Sequence, residues 1–482
     1  MYRKLFYFAL ASSIILFTGC PSETLNVTQI ERPTITSSGG NSFDSNTIIS
    51  ITSEDEASIY YTLDGSNPTS SSTPYSAPFE INDTSTVKAI AMMSGFDNSP
   101  IAIQTYTIVD IPNTTFAIND IAIGSEFTLF LMEDGSLWGC GFNTSGQLGM
   151  GDEIRNVLSP TKIIDSGVKS VSAGNFYAMI IKDDNSLWAT GHNMKHFGDG
   201  SEDDSSTFKF IRNDVRSVSC SFGNTSIITT DGELFSTGYN AEGKPEVGTI
   251  INQFQKVSDN STSDLIDAEY GDSYCAFLKT SGDLYVSGSN LYSIIGPDAE
   301  NDYKKDYIPI LIAQNVKSFS AGENHIMFID NDDKLYGLGR MYHGNLGNSY
   351  HTEYSDFTFN YNNNAPFYSL DDVKSVVAGD YSSFVIKNDG TFWLTGSDYD
   401  NQLGDGDDST SPHTGFFQID DHKQDIVDAY SYGNTSFIID DDGYCYGTGG
   451  NSQGQLGIGT MDDGPIDAGK NVFTRIAFEE SD

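Results

Sequence analysis

The sequence predicts an all-β protein, a seven-bladed β-propeller preceded by a small β module. Two observations carry this reading. A unit of about 50 residues recurs through the last three quarters of the chain, and the segment before it alternates apolar and polar residues between turns. The 482 residues allow more than one domain and a sizeable core. With 25 Lys and Arg against 67 Asp and Glu, the formal net charge is −42. That balance excludes sequence-independent binding to nucleic-acid phosphates, which needs clustered cations, and electrostatic docking on anionic lipid. Gly (47), Tyr (26) and Phe (30) are too plentiful for a disordered acidic tail, and five cysteines are too few for a disulfide scaffold.

The chain opens with MYRKLFYFALASSIILFTGC, two cations followed by an apolar run from Leu5 to Phe17. Such a run is short for a bilayer of ~30 Å and suits the h-region of a signal peptide. Its end, Leu16-Phe17-Thr18-Gly19-Cys20, resembles the lipobox of bacterial lipoproteins. The resemblance implies cleavage after residue 19 and lipidation of Cys20. Several acyl chains on Cys20 would anchor stably, and this lipid is the expected membrane attachment.

A polar tether, 21–30, leads into the β module. Ile59-Tyr60-Tyr61-Thr62-Leu63 reads as a strand meeting the turns Asp64-Gly65 and Asn67-Pro68. Pro74 to Phe79, the strand Thr86 to Ala91 and the closing Thr105 to Ile108 follow. Together they resemble the chitobiase/hexosaminidase C-terminal domain, which implies a fibronectin-like β-sandwich without catalytic residues to transfer. Asp64 reads as a turn aspartate bonding its own backbone rather than a metal ligand.

Seven times the chain then writes an acidic or glycine turn, an apolar residue, an aromatic, two small residues and a glycine. The closing glycines are Gly141, Gly191, Gly238, Gly288, Gly339, Gly396 and Gly449, spaced 50, 47, 50, 51, 57 and 53 residues apart. A leading glycine stands 15 to 17 residues earlier, at Gly124, Gly174, Gly223, Gly271, Gly322, Gly379 and Gly433. Four copies end in a turn like Asn143-Thr144-Ser145-Gly146-Gln147-Leu148-Gly149; copies three and four have lost it. Small antiparallel sheets that each need neighbours for burial give a radial propeller, and seven copies give seven blades. The series resembles the regulator-of-chromosome-condensation repeat family over about 118–478, which implies the same fold. The nucleotide-exchange role of the family's eukaryotic namesake is not expected of an exported acidic chain. The last segment, Asn471 to Ile476, matches the final strand of a blade, and ring closure is expected to join it to blade one.

No nucleophile, phosphate-binding or paired-carboxylate signature stands out, and no cofactor, metal or catalytic role is expected. Cys140, Cys220, Cys275 and Cys445 fall in strands without a C-x-x-C pair and read as buried free thiols. His192 and His196 are spaced as H-x-x-x-H but on a loop, which does not fix two metal ligands. The acidic loops 198–206 and 404–410 read as solvated rather than as Ca²⁺ sites. One segment departs from the rhythm: of the 28 residues from Met341 to Tyr368, eight are aromatic and most others Asn, Ser, Thr or His. Such mixtures suit a binding loop, with Tyr350, Tyr354, Phe357, Phe359 and Tyr361 as its rings. The plainer alternative is a long connection to an outer strand.

The expected organisation is therefore a signal peptide (1–19), a lipidated tether (20–30), a β-sandwich (31–109), a linker (110–117) and a propeller (118–478). The expected role is that of a lipid-anchored protein of a bacterial envelope, in the outer membrane or at the cell surface, whose propeller binds a protein partner. A carbohydrate-binding or carbohydrate-processing role is the alternative.

Overall fold

The computed structural model describes residues 29–37, 42–43, 47–53, 57–81, 84–108, 117–151, 154–239, 250–257, 264–272, 274–288, 306–340, 343–347, 367–406, 411–419, 425–461 and 470–479. The chain divides into two compact units, Met1–Val109 and Asp110–Asp482. Among the described residues all regular elements are strands. None of the described residues forms a helix long and apolar enough to cross a membrane.

The first unit is a sandwich of two sheets. Thr34–Ser37, Thr47–Thr52 and Phe79–Ile81 form one; Ser42–Phe43, Ala102–Ile108, Ser85–Met92, Ser58–Thr62 and Thr73–Pro74 form the other, in that spatial order. Strand alternation aims Ile49, Ile51 and Ile81 of the first sheet at Val87, Ala89, Ala102 and Tyr106 of the second. Tyr61 stacks on Phe79 with ring centroids 4.4 Å apart. Asp64 holds its turn as expected: its Oδ1 accepts the Ser66 amide at 2.9 Å and the Ser66 hydroxyl at 2.6 Å.

The second unit contains, among the described residues, seven four-stranded antiparallel sheets, each ordered in space as in sequence. These are the seven blades. Their inner strands are Ile118–Ile123, Val168–Ala173, Val215–Cys220, Leu265–Tyr270, Val316–Ala321, Val373–Ala378 and Ile426–Tyr432. Second strands such as Phe127–Met132 are buried along their whole length, because both faces of each sheet are covered by neighbouring blades. Leu129, Leu131, Leu137 and Leu148 of blade one pack on Val168, Val171, Ala178 and Ile180 of blade two, and comparable clusters fill other interfaces.

Among the described residues no strand is exchanged at ring closure, contrary to the expected joining of the last segment to blade one. Lys470–Arg475 pairs with Cys445–Gly449 and completes blade seven from its own repeat. Closure is made by side chains instead. Phe130 meets Phe437 and Phe478 edge-on at 5.6 and 5.1 Å within a cluster that also holds Trp138, Leu456 and Ile476. The Thr128 hydroxyl and the Cys140 thiol of blade one donate to the Gln455 carbonyl of blade seven, at 2.8 and 3.3 Å.

That carbonyl belongs to the repeated Gly-Gln-Leu-Gly turn, which thereby shows what it does in the fold. Asn143 accepts the Leu148 amide at 2.9 Å and so closes its own loop; Asn451 does the same for Leu456, and Asp398 for Leu403. The closed loop then offers a carbonyl to the next blade: Gly146 to Thr190 (2.7 Å), Gly344 to Thr395 (2.9 Å) and Asn401 to Thr448 (3.0 Å). Each turn is a latch between successive blades.

Candidate binding rim and central channel

In a four-stranded meander, the loops joining strands one to two and three to four open on the same side. Both loop sets therefore share one face, here the upper face. Below it the inner strands enclose a channel of about 690 Å³, lined from all seven blades. The residue two places beyond each inner strand's aligned end forms the rim: Ser125, Asn175, Phe222, Asp272, Glu323, Asp380 and Gly433. The rim is sharply divided. Blades four, five and six each supply a carboxylate, and blade three supplies Phe222, 63% exposed.

The geometry of the acidic half is held by backbone and tyrosines. The Asp272 amide donates to the Glu323 carbonyl of the next blade at 3.0 Å, and the Tyr381 side chain hydrogen-bonds Glu323. On the opposite side Tyr432 reaches from blade seven to blade two, donating to Asn175 Oδ1 at 2.7 Å. Among the lining residues none is Lys or Arg. Burial, together with the charges of Glu323 and Asp272, pushes the Asp380 carboxyl up to about 7 against a stabilising bond from the Gly433 backbone. Burial raises Asp272, and burial chiefly raises Glu323 although Arg340 opposes it. Deeper in the wall, burial and then Asp267 push Glu269 up to about 8, although its Oε2 accepts the Ala321 amide at 2.7 Å. These carboxyls are crowded, partly desolvated and short of counter-charge.

The upper face also carries apolar and aromatic side chains. Phe176 and Met194 of blade two are 37% and 50% exposed, and the Phe176 carbonyl accepts the His192 amide, which brings both loops to one place. On blades five and six His343 meets Tyr399 edge-on at 4.8 Å and Tyr381 at 6.3 Å.

Of the residues singled out by sequence, Cys20, Tyr350, Tyr354, Phe357, Phe359 and Tyr361 lie outside the described residues. The two histidines do not converge: His192 pairs with Asp204 at 3.0 Å, whereas His196 stacks on Tyr177 and burial pushes it down to about 4. Acids of the 198–206 loop are used locally, Asp199 holding Lys209 at 2.7 Å and the Ser201 amide at 2.9 Å. Among the described residues no three His, Cys, Asp or Glu side chains converge as metal ligands. Cys140, Cys220, Cys275 and Cys445 are free thiols, raised by burial. The acidic rim was missed, yet it has a signal. In three consecutive copies an acid directly follows the leading glycine, as Gly271-Asp272, Gly322-Glu323 and Gly379-Asp380.

These features define a β-propeller of repeats with a divided rim, following a β-sandwich. The regulator of chromosome condensation (RCC1) repeat family matches residues 134–181, and a second model of that repeat matches 118–147. The Fn3-associated family matches residues 49–106 in the sandwich. No curated protein matches the chain in sequence. Prp20p from Saccharomyces cerevisiae is similar in structure, with TM-score 0.62 at 18% identity over 72% of this chain and 87% of that one. Its structure was described together with its binding to Gsp1p and histones. Yeast RCC1 (Prp20) in complex with Kap60 gives TM-score 0.61 at 17% identity, covering 75% of this chain and 85% of that one. Human WBSCR16 gives 0.55 at 16%, covering 78% and 96%. The chain thus carries RCC1-type repeats folded as a propeller and an Fn3-associated domain.

Proposed function

We propose that this chain is an exported envelope protein, anchored through a lipid on Cys20, whose propeller binds another protein across its upper face. One observation carries the binding reading: the channel rim brings three carboxylates and a largely exposed phenylalanine into one ring. An exposed aromatic anchor beside crowded carboxylates supplies the ingredients of a protein interface hot spot. Prp20p, the yeast RCC1, is similar in fold and binds Gsp1p, histones and Kap60, so a protein of this fold is known to have protein partners. The role is non-catalytic, and the aromatic segment Met341 to Tyr368 joins the third and fourth strands of blade five as a further contact loop.

A pull-down from envelope extracts with fragment 21–482 tests the binding reading. A specific protein retained by the wild type and lost with Phe222→Ala is expected; retention of none would refute it. Anchoring is tested separately. Cys20→Ser should move the protein from membrane to soluble fractions, and persistent membrane association would refute the lipid anchor.

A further inference from the structure

We propose that the partner engages this rim with a basic residue: a lysine or arginine on a protruding segment sits between Asp272, Glu323 and Asp380, and an apolar neighbour packs on Phe222. The proposal rests on the protein-binding reading and gives its partner a chemistry.

The argument is one of complementarity. The three carboxylates come from consecutive blades, so they form an arc open toward the channel rather than a surface scatter. Their wall lacks Lys and Arg among the described residues, and Arg340 is the cation acting on Glu323. All three carboxyls are raised, by burial first and, at Glu323 and Asp380, by their neighbours' charges, with Arg340 offsetting only part of this at Glu323. A cation entering the arc offsets the desolvation of the carboxylates by pairing with them and relieves their mutual repulsion, so the rim favours positive charge over neutral ligands.

Which cation follows from the shape. No three carboxylates converge as metal ligands among the described residues, so a compact metal ion does not satisfy the arc. A long side chain can. The channel wall beside the arc offers Ala321, Val377 and Ala378, apolar surface for the stem of a Lys or Arg whose head stays among the oxygens. On the other side Phe222, with Phe176 and Met194 on blade two, receives an apolar residue beside the cation. A second copy of this chain is a poor occupant at a net charge of −42, and so is nucleic acid.

The test pans a random 12-residue peptide display library against the full chain in detergent and against Asp272→Asn/Glu323→Gln/Asp380→Asn. Peptides enriched on the wild type should carry Lys or Arg beside an apolar residue and bind the triple variant at least tenfold more weakly. Phe222→Ala should weaken the same peptides while leaving their cation requirement intact. Enriched peptides without a cation, equal binding to the triple variant, or no enrichment would each overturn the proposal. If the triple variant does not melt cooperatively, Asp272→Asn alone decides by the same criterion. A protein captured from envelope extracts that binds the triple variant undiminished would overturn this inference while leaving the protein-binding reading standing.

Discussion

At Gly124, Gly174 and Gly271 the leading glycine of the repeat answers to the ring three residues on. At Gly271 an added Cβ would lie 2.0 Å from Tyr274 Cε1, and at Gly124 it would lie 1.9 Å from Phe127 Cε1. The ring three residues on fills the space where a side chain would stand. Tyr274 then donates its hydroxyl to the Gly322 and His325 carbonyls of blade five, both at 2.7 Å, so the glycine permits a bond between blades. Where the residue three places on is not a ring, that particular constraint is gone, although a Cβ at Gly379, three before Ser382, would still meet Ser431 Oγ at 2.6 Å. Blade three has Ser221 with Asn224, and blade seven has Tyr432 with Thr435. The sequence reading of Gly223 and Gly433 as members of the leading series is therefore corrected: they stand two and one residues past the structural position. Gly271→Ala should cost about 2–4 kcal/mol by overpacking. Tyr274→Phe should cost about 1–3 kcal/mol by leaving buried carbonyls short of a donor. In urea denaturation the Gly271→Ala/Tyr274→Ser double variant should cost less than the sum of its singles. Additive costs would contradict the coupling.

At the scale of the element, the strand ends and the latching turns decide how blades hold one another. The residue before the closing glycine receives the latch: Thr190, Thr395 and Thr448 do so through their hydroxyls, and Cys140 through its thiol. Copies three and four have lost the Gly-Gln-Leu-Gly turn, and the residues at the receiving position in the blades that follow are Ser287 and Leu338. Loss of the hydroxyl in blade five thus goes with loss of the loop it would hold. Thr190→Val should cost about 1 kcal/mol, the net worth of one hydrogen bond, since the Gly146 carbonyl keeps the Gly149 amide at 2.8 Å. Asn143→Ala should cost more, since its side chain closes the loop through Leu148 and donates to Gly151 and Ile154 at 3.1 and 2.8 Å. Thermal melts of the two variants give the ranking, and the reverse order would show that closing the loop matters less than latching it to the next blade. The strands and their number were legible because a glycine-punctuated pattern repeats seven times, and each copy reinforces the others. The rim was not, because its acids are single letters in loops among 67 acids. Only the closed ring aligns Asp272, Glu323 and Asp380.

For the whole molecule, buried titrating groups pull stability in opposite directions with pH. Asp120, Asp380 and Glu269 are pushed up to about 6, 7 and 8, burial being the leading cause in each. The folded chain therefore holds protons that the unfolded chain releases above about pH 4, and stability declines from there toward pH 8. His196 and His325 are pushed down by burial to about 4 and 3. Below about pH 6.5 the unfolded chain takes up protons that these folded histidines refuse, which works against folding in acid. Turn aspartates such as Asp134 and Asp389, lowered by hydrogen bonds from Ser136 and Thr391, add stability that is lost below about pH 4. Maximum stability is expected near pH 4–5, with a falling melting temperature from pH 5 to 8 that Glu269→Gln flattens. A melting temperature that rises over that interval would contradict the assignment. Deleting 450–482 removes Leu456, Ile476 and Phe478 from the closing cluster, and the whole ring should lose its cooperative transition rather than a single blade. That the ring closes without exchanging a strand bears on how such a chain can change length. Every blade begins at its own inner strand and ends at its own outer one, so the unit of structure coincides with the unit of sequence. A tandem duplication of one repeat would add a whole blade and leave none half-made. A circularly permuted gene, cut between Ile164 and Val168 and spliced where Ile118 already packs near Phe478, would encode the same seven intact sheets.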